Sequence, residues 1–272
     1  MRERPKGVAN IHEVEGNKDI IVIIPTADYN GKYAKECSDN VFKGLHIVFV
    51  ESGVNDFYFN YAHNCNVVIK RAMDYNPKWV IVSNDDMYKI DDISVLQKQL
   101  ESINNKKIDT VFTKPSNYHS HPVRFAKPNK LYYLYFYFFS IISRKLNKVI
   151  KQNGLTFSYH QVPYDSKISY LFKRGYPFVN HESFGIFSSE YLRSLNFNLF
   201  DETFINAGED VDVSLKLSFA KERSVIVDYN IGNYIGMSLG NGIDRGLRTH
   251  AGRIYLNYKW GEIIDNLLDH RS

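Results

Sequence analysis

Short apolar runs alternate with amphipathic stretches through the first half of the chain, and each run stops at a proline or a polar cluster. Residues 19–25 (Asp-Ile-Ile-Val-Ile-Ile-Pro), 46–51 (His-Ile-Val-Phe-Val-Glu) and 79–83 (Trp-Val-Ile-Val-Ser) are such runs. Unbroken apolar character over so short a span suits strands buried on both faces of a parallel sheet. Between the second and third runs, Val68, Ala72 and Tyr75 recur at helical spacing before the Asn76-Pro77 break, which predicts a helix over 64–75. Asp92 is placed to cap a further helix whose Ile93, Leu96, Leu100 and Ile103 share one face, and 110–114 reads as another strand. Strand, helix and strand in this order define an α/β class with a mostly parallel central sheet flanked by helices.

The alternation stops at Pro115, and from there to about residue 180 the pattern is irregular, aromatic and basic, which marks an insertion into the frame. Beyond it a strand is expected at 184–187, short and longer helices at 190–195 and 210–221, and a strand at 224–228 that closes the core. Val211, Leu215 and Phe219 form the apolar stripe of the longer helix. The 272 residues fit a single domain, 1–272, with a core over about 19–228, the insertion over about 115–180 and a C-terminal helical tail over about 229–272. In that tail, Tyr255, Tyr258 and Trp260 are expected to pack on the core or on a membrane.

Hydrophobic residues at 44% and charged residues at 24% exclude wholesale disorder. The net charge of +4 conceals an asymmetry. Between Thr110 and Tyr164 eight lysines and arginines meet no acid, leaving 26 of the 34 basic residues to face all 30 acids elsewhere. One segment therefore makes the protein basic, which implies a local anionic partner rather than a generally nucleic-acid-like surface. Cys37 and Cys65 are too few for a disulfide framework and read as packing residues of a reducing compartment. The N-terminus is charged where a secretory signal needs an apolar stretch, so a cytoplasmic location is expected, with the inner face of the membrane as the lipid surface within reach.

In parallel α/β sheets ligands bind at the carboxyl ends of the strands, so the polar residues after each run are the candidate chemistry. The first run leads into Thr26 and Asp28, the second into Glu51, and the third into Asn84-Asp85-Asp86. Adjacent carboxylates at a strand mouth repel one another unless neutralised, and a hard divalent cation held against phosphate oxygens would do so. A turn or helix cap is the plainer alternative for the same tripeptide. A second acidic group, Asp201-Glu202 followed by Glu209-Asp210-Val-Asp212, suits a helix N-terminus, yet its placement both before and within the first turn concentrates enough charge to supply a general base. His119 and His121 form a minor candidate for a metal pair.

Taken in order, Ile24-Pro25-Thr26, Val50-Glu51-Ser52-Gly53, Asn60 with Asn64, Asn84-Asp85-Asp86, Phe200-Asp201-Glu202-Thr203-Phe204 and Glu209-Asp210-Val211-Asp212 resemble the motifs of the family 2 glycosyltransferases. The resemblance covers about 19–228 apart from the insertion, and implies the GT-A nucleotide-diphospho-sugar transferase fold. It implies that Pro25, Thr26, Glu51 and Asn64 border the nucleoside. Asn84 and Asp85 would face the ribose or diphosphate, Asp86 would hold Mg2+ or Mn2+, and Asp210, beside Glu209, would be the catalytic base. The implied activity is metal-dependent, inverting transfer of a sugar from a nucleoside-diphosphate donor, UDP-linked by expectation, to a hydroxyl on a glycan or lipid-linked acceptor. Two departures stand out: Glu51 replaces the commoner Asp, and Tyr234-Ile-Gly-Met-Ser238 occupies a stretch where the family often has His, leaving His250 as a substitute. The alternatives are a non-catalytic sugar-nucleotide-binding or assembly module on the same fold and a nucleotidyltransferase. The second usually opens with a Gly-rich basic loop, which Thr26-Ala-Asp28-Tyr-Asn30-Gly31 lacks.

Within the insertion, 131–142 holds one non-aromatic polar residue, Ser140, and is bracketed by Arg124, Lys127 and Lys130 before and Arg144, Lys145, Lys148 and Lys151 after. It is too short to span a bilayer. Aromatic bulk with flanking cations suits an anionic membrane interface across 124–151, each base contributing about 1 kcal/mol, or a lipid-linked phosphate acceptor. Packing in a homo-oligomer or in the core are the competing expectations; no nucleic-acid partner is expected, since no RNA-binding motif accompanies the segment.

Overall fold

The computed structural model describes residues 6–52, 58–142, 159–234 and 243–269. Gly53, the bases at 144–151 and residues 235–238 of the Tyr234 stretch lie outside them. The strands are β1 (Asn10–Val14), β2 (Asn17–Thr26), β3 (Leu45–Glu51), β4 (Trp79–Ser83), β5 (Met87–Lys89), β6 (Thr110–Phe112), β7 (His121–Ala126), β8 (His160–Pro163), β9 (Tyr176–Asn180), β10 (Phe184–Ser188), β11 (Ser224–Ile226) and β12 (Ile231–Asn233). The helices are α1 (Lys32–Glu36), α2 (Tyr61–Met73), α3 (Ile93–Ser102), α4 (Lys130–Ile142), α5 (Ser189–Ser194), α6 (Glu209–Ala220) and α7 (Ile243–Asp269).

The main sheet runs β1-β3-β2-β4-β10-β6-β11. β3, β2 and β4 are mutually parallel, and β6 pairs parallel with β11. β10 lies antiparallel to both β4 and β6, so β4 and β6 point the same way, and only β10 and the edge strand β1 run against the rest. This is the mixed α/β class with a mostly parallel central sheet. The apolar run of β2 serves two layers at once, as the strand period of two requires. Ile20, Val22 and Ile24 pack with Phe42, Phe49, Ile81 and Ile186, whereas Ile21 and Ile23 face Cys65, Val68, Ile69 and Ala72 of α2. Burial of each such side chain contributes about 1.5–3 kcal/mol, which is why these strands need no alternation in sequence. Both cysteines are buried free thiols.

Three expectations are corrected here. Helix α2 begins at Tyr61, before the periodic positions, because Asn60 caps it by accepting from the His63 N–H at 3.0 Å. The stretch at 224–228 closes the core only in part: among the described residues β11 pairs with β6 alone and its Ile226 is 72% exposed, while Val227 just beyond it is buried in the core. The stretch taken as irregular holds a second antiparallel sheet, β8-β7-β9, and helix α4. That sheet sends Val123, Phe125 and Phe178 into a core shared with Phe204, Val211 and Leu215 on one side and Leu256, Trp260 and Ile264 of α7 on the other. Helix α6 is thus gripped by the insertion and by the last helix, and its N-terminus is delivered to the main sheet. Asp92 caps α3 as expected, accepting from the Ser94 N–H at 3.0 Å. Among the described residues no helix is long and apolar enough to cross a membrane.

Candidate functional site

The parallel strands β2, β3 and β4 present their carboxyl ends at one edge, where Thr26 stands in register with Glu51. The Thr26 hydroxyl donates to Asp85 Oδ2 at 2.8 Å, tying the first strand end to the third. Asp85 and Asp86 are 7% and 2% exposed. Burial pushes the Asp85 carboxyl above its ordinary range, and the Thr26 hydrogen bond only partly offsets this. Asp86 Oδ1 accepts from Asn233 Nδ2 at 2.9 Å, and its carbonyl accepts from the Tyr234 N–H at 2.8 Å. The β5–β12 ribbon, with Asn233 opposite Met87, sets up both contacts. It closes because position 232 is glycine: a Cβ there would sit 2.1 Å from the Tyr88 ring.

Glu51 accepts from the Tyr29 N–H at 2.9 Å and meets His12 Nε2 at 3.1 Å, and these donors hold its carboxyl below the usual range. It therefore pins the loop after β2 as well as lining the edge. Pro25 is buried within β2 opposite Val50. Asn64 is fully buried on α2, and neither its amide nitrogen nor its oxygen has a hydrogen-bond partner. A buried amide without a partner among the described residues costs about 1–3 kcal/mol per group, which makes Asn64 a candidate contact.

The second acidic group divides in two. Asp201 receives Lys259 Nζ at 2.6 Å and the Tyr255 hydroxyl at 3.0 Å. Fully buried Asp212 receives the Trp260 indole at 2.8 Å, Lys259 at 3.0 Å and Lys216 at 2.8 Å. Glu202 accepts from Asn66 at 3.2 Å and faces His63 at 3.1 Å and Lys6 at 3.3 Å. These three carboxylates hold the fold together, which corrects the expectation that the whole group forms one negative patch. Glu209 and Asp210 have no ion pair among the described residues. Glu209 is buried and Asp210 half-buried, and the loss of solvent drives both upward, Glu209 to about 8. Asp210 keeps one long contact, from Asn180 Nδ2 at 3.4 Å, and one oxygen of Glu209 is unpartnered. Gly208 makes the turn possible: it enters α6 at φ +95°, a left-handed conformation, with Leu256 2.9 Å from where a Cβ would stand.

The two halves meet at the N-terminus of α2. Asn60 Nδ2 donates to the Glu202 carbonyl at 2.9 Å, Asn206 Oδ1 accepts from the Tyr61 N–H at 2.7 Å, and the Tyr61 hydroxyl reaches Asn84 Oδ1 at 3.5 Å. The Asn84 N–H donates to the Ser183 carbonyl at 3.0 Å, and the preceding Glu182 lines a small cleft with Val82, Gly185, Phe187, Phe200 and Asp210. Asn84 and Asp210 accordingly serve the same end of the sheet. Tyr61, Asn180, Glu182 and Asn233 stand beside the candidate residues, and pattern reading passed over them. The one local signal is at Glu182, whose φ of +44° is unusual for a residue with a Cβ. Glu182 is raised by burial and by the Asp210 charge beside it.

His119 is not a ligand: its Nδ1 meets Thr113 Oγ1 at 3.2 Å and its Nε2 the Ile231 carbonyl at 3.0 Å, so both nitrogens are spent in the core. His250 carries a buried Nδ1 without a partner on α7. A different group, Glu13, Glu15 and His46, brings three potential ligand atoms within 4.8 Å of one another and could bind a metal. It lies at the amino-terminal end of β3, away from Asp86. Arg71 at 2.6 Å from Glu13 and Lys18 at 3.1 Å from Glu15 already supply positive charge there.

These features define a mixed α/β protein with a polar site at the carboxyl edge of its sheet. No family model matches the chain, and no curated protein matches it. Among solved structures, A197 from STIV is 13% identical with a TM-score of 0.41, covering 79% of this chain and 85% of its own. A glycosyltransferase involved in the glycosylation of the major capsid of PBCV-1 is 10% identical with a TM-score of 0.37, covering 85% and 98%. The 4-diphosphocytidyl-2C-methyl-D-erythritol synthase from Anaerococcus prevotii DSM 20548 is 11% identical with a TM-score of 0.38, covering 88% and 96%. Likenesses this slight carry no function across, and the residues themselves must do so.

Proposed function

We propose that the chain is an inverting glycosyltransferase of the GT-A type that uses a nucleoside-diphosphate sugar, UDP-linked in the first instance, and an acceptor hydroxyl on a glycan or lipid-linked sugar. The observation that carries this reading is that Tyr61 stands between Asn84, beside Asp85 and Asp86, and the Glu209-Asp210 pair, which has no ion pair among the described residues. The Asn64 amide, with both polar atoms unpartnered, supports a nucleobase edge or ribose as the missing partner.

The donor set suits the implied cation, because adjacent carboxylates are the hard oxygen ligands that Mg2+ or Mn2+ takes. Asp86, with Asp85 beside it, would hold that ion, which when bound offsets charge on the leaving diphosphate. Asp210 takes the proton from the acceptor hydroxyl as that oxygen bonds to the anomeric carbon. The bond from that carbon to the diphosphate oxygen breaks with inversion, and its electron pair leaves on the nucleoside diphosphate. Burial strengthens Asp210 as a base, since an oxygen that holds its proton more tightly accepts one more readily. Glu182 and Glu209, both raised, keep further negative charge close to Asp210 only when they are ionised.

A screen of sugar nucleotides with and without Mn2+, reading nucleoside diphosphate release, tests the assignment. Turnover that collapses by 10²-fold or more in Asp210→Asn while donor affinity stays within about threefold is the expected result. Release of pyrophosphate in place of nucleoside diphosphate, or donor binding without turnover under every condition, would replace this reading with a nucleotidyltransferase or a binding module.

A further inference from the structure

Helix α4 carries two unlike faces. Tyr132 and Tyr135 pack on Ala126, Val162, Leu171 and Phe172 of the insertion. Leu131, Leu134, Tyr137 and Phe138 point the other way and are 52–61% exposed, a stripe at helical spacing that no soluble surface needs. Tyr170, 59% exposed, stands beside the start of the helix, where its carbonyl accepts from Asn129 Nδ2 at 2.7 Å. The charges are arranged around this stripe rather than within it. No charged residue occurs from Leu131 to Ser143, whereas Lys130, Lys173 and Arg174 are exposed at the N-terminal end, Lys173 being tied to the Lys127 carbonyl at 2.8 Å.

We propose that this face of α4 docks on an anionic lipid surface, with the helix lying in the plane of the interface. Thirteen residues give a helix about 20 Å long, well short of the ~30 Å hydrocarbon thickness, so lying flat is the geometry open to it. Charge decides the occupant. A second copy would bring the same acid-free, basic segment against this one, and like charges would oppose the contact. Nucleic acid favours cations interleaved with stacking rings, while here the cations stand outside an uncharged aromatic and aliphatic centre. Anionic headgroups around buried acyl chains match both parts. The surface is argued independently of the sheet-edge site, and its failure leaves the transferase reading untouched.

Co-sedimentation of the full chain with vesicles at 50 mM salt tests the proposal. Vesicles with a third phosphatidylserine should bind at least tenfold more tightly than pure phosphatidylcholine, and 500 mM salt should remove most of the difference. Leu134→Glu with Phe138→Glu should lose that binding while the circular dichroism and melting temperature stay at parent values, since both side chains are exposed. Equal affinity for the two vesicle types, or binding that survives the double substitution, overturns the proposal. So does analytical ultracentrifugation showing that the double substitution dissociates a parent dimer, because the face would then belong to a second copy.

Discussion

Replacement of Asp212 by alanine separates the acids that build the fold from the Glu209-Asp210 pair proposed to do chemistry. The Asp212 carboxylate is fully buried and receives Trp260 Nε1 at 2.8 Å, Lys259 at 3.0 Å and Lys216 at 2.8 Å. Its removal strands a buried indole N–H, about 1–3 kcal/mol, and leaves Lys259 with Asp201 alone. Breaking a buried ion pair costs about 3–5 kcal/mol, but the two lysines are about a quarter to a third exposed and rehydrate in part, so about 3 kcal/mol is expected. At about 2 °C per kcal/mol for a chain of this size, the melting temperature should fall by about 6 °C. Asp212→Asn keeps an acceptor for Trp260 and should lose about half as much. Asp210→Asn, which removes a half-buried carboxylate with no ion pair among the described residues, should leave stability within about 1 kcal/mol of the parent or raise it. Calorimetric melts of the three variants decide the matter. Parent-like melting of Asp212→Ala, or a loss in Asp210→Asn as large as in Asp212→Ala, would sink the division of the acids drawn above.

Further outcomes follow from the same geometry. Asp86→Ala should weaken the Mn2+-dependent part of donor binding by tenfold or more in titration calorimetry, and donor affinity that is the same with and without Mn2+ in the parent would contradict the role given to Asp86. Glu209 holds its proton in the fold up to about pH 8 but loses it near 4.5 when unfolded, so through this group the folded state binds more protons between those limits and the group's contribution to stability falls as pH rises through that window. Relative to Glu209→Gln, the parent should lose stability between pH 5 and pH 8 in urea midpoints, by up to about 1.4 kcal/mol per pH unit from this group; a difference between the two that does not change with pH would count against it. Gly232→Ala forces a methyl against the Tyr88 ring and should move Asn233 off Asp86, lowering metal-dependent donor affinity with little change in melting temperature. Retained affinity would show that the ribbon does not position Asp86.

The strands at the heart of the sheet were legible because burial on both faces writes itself as a continuous apolar run, as in β2, β3 and β4. The end of a strand is equally visible, which is why Thr26, Glu51 and Asn84 to Asp86 could be picked from sequence and found at one edge. What pattern could not reveal is pairing across distance. Asp201, Asp212 and Asp210 look alike in sequence, and it is the approach of α7, through Tyr255, Lys259 and Trp260, that separates the first two from the third. Asn233 reaches Asp86 across 147 positions through a ribbon of three-residue strands, too short to leave a periodic signal. The sheet within the insertion escaped notice for a related reason: its strands are brief, proline-containing and paired with partners far along the chain, so aromatic content masked their alternation. The edge position of β11 was invisible because an apolar run does not say how many neighbours a strand will have.

One lysine closes a circuit in time as well as in space. Lys259 neutralises Asp212 across 47 residues of later chain, so a growing polypeptide reaches the first turn of α6 long before the cation that steadies it exists. Until α7 docks, Asp212 has Lys216 of its own helix, at 2.8 Å, but lacks Lys259 and the Trp260 indole that complete its burial. Ordering of the segment that presents Asp210 is thereby coupled to the docking of α7, and truncation within that helix would leave Asp212 buried without its long-range partners.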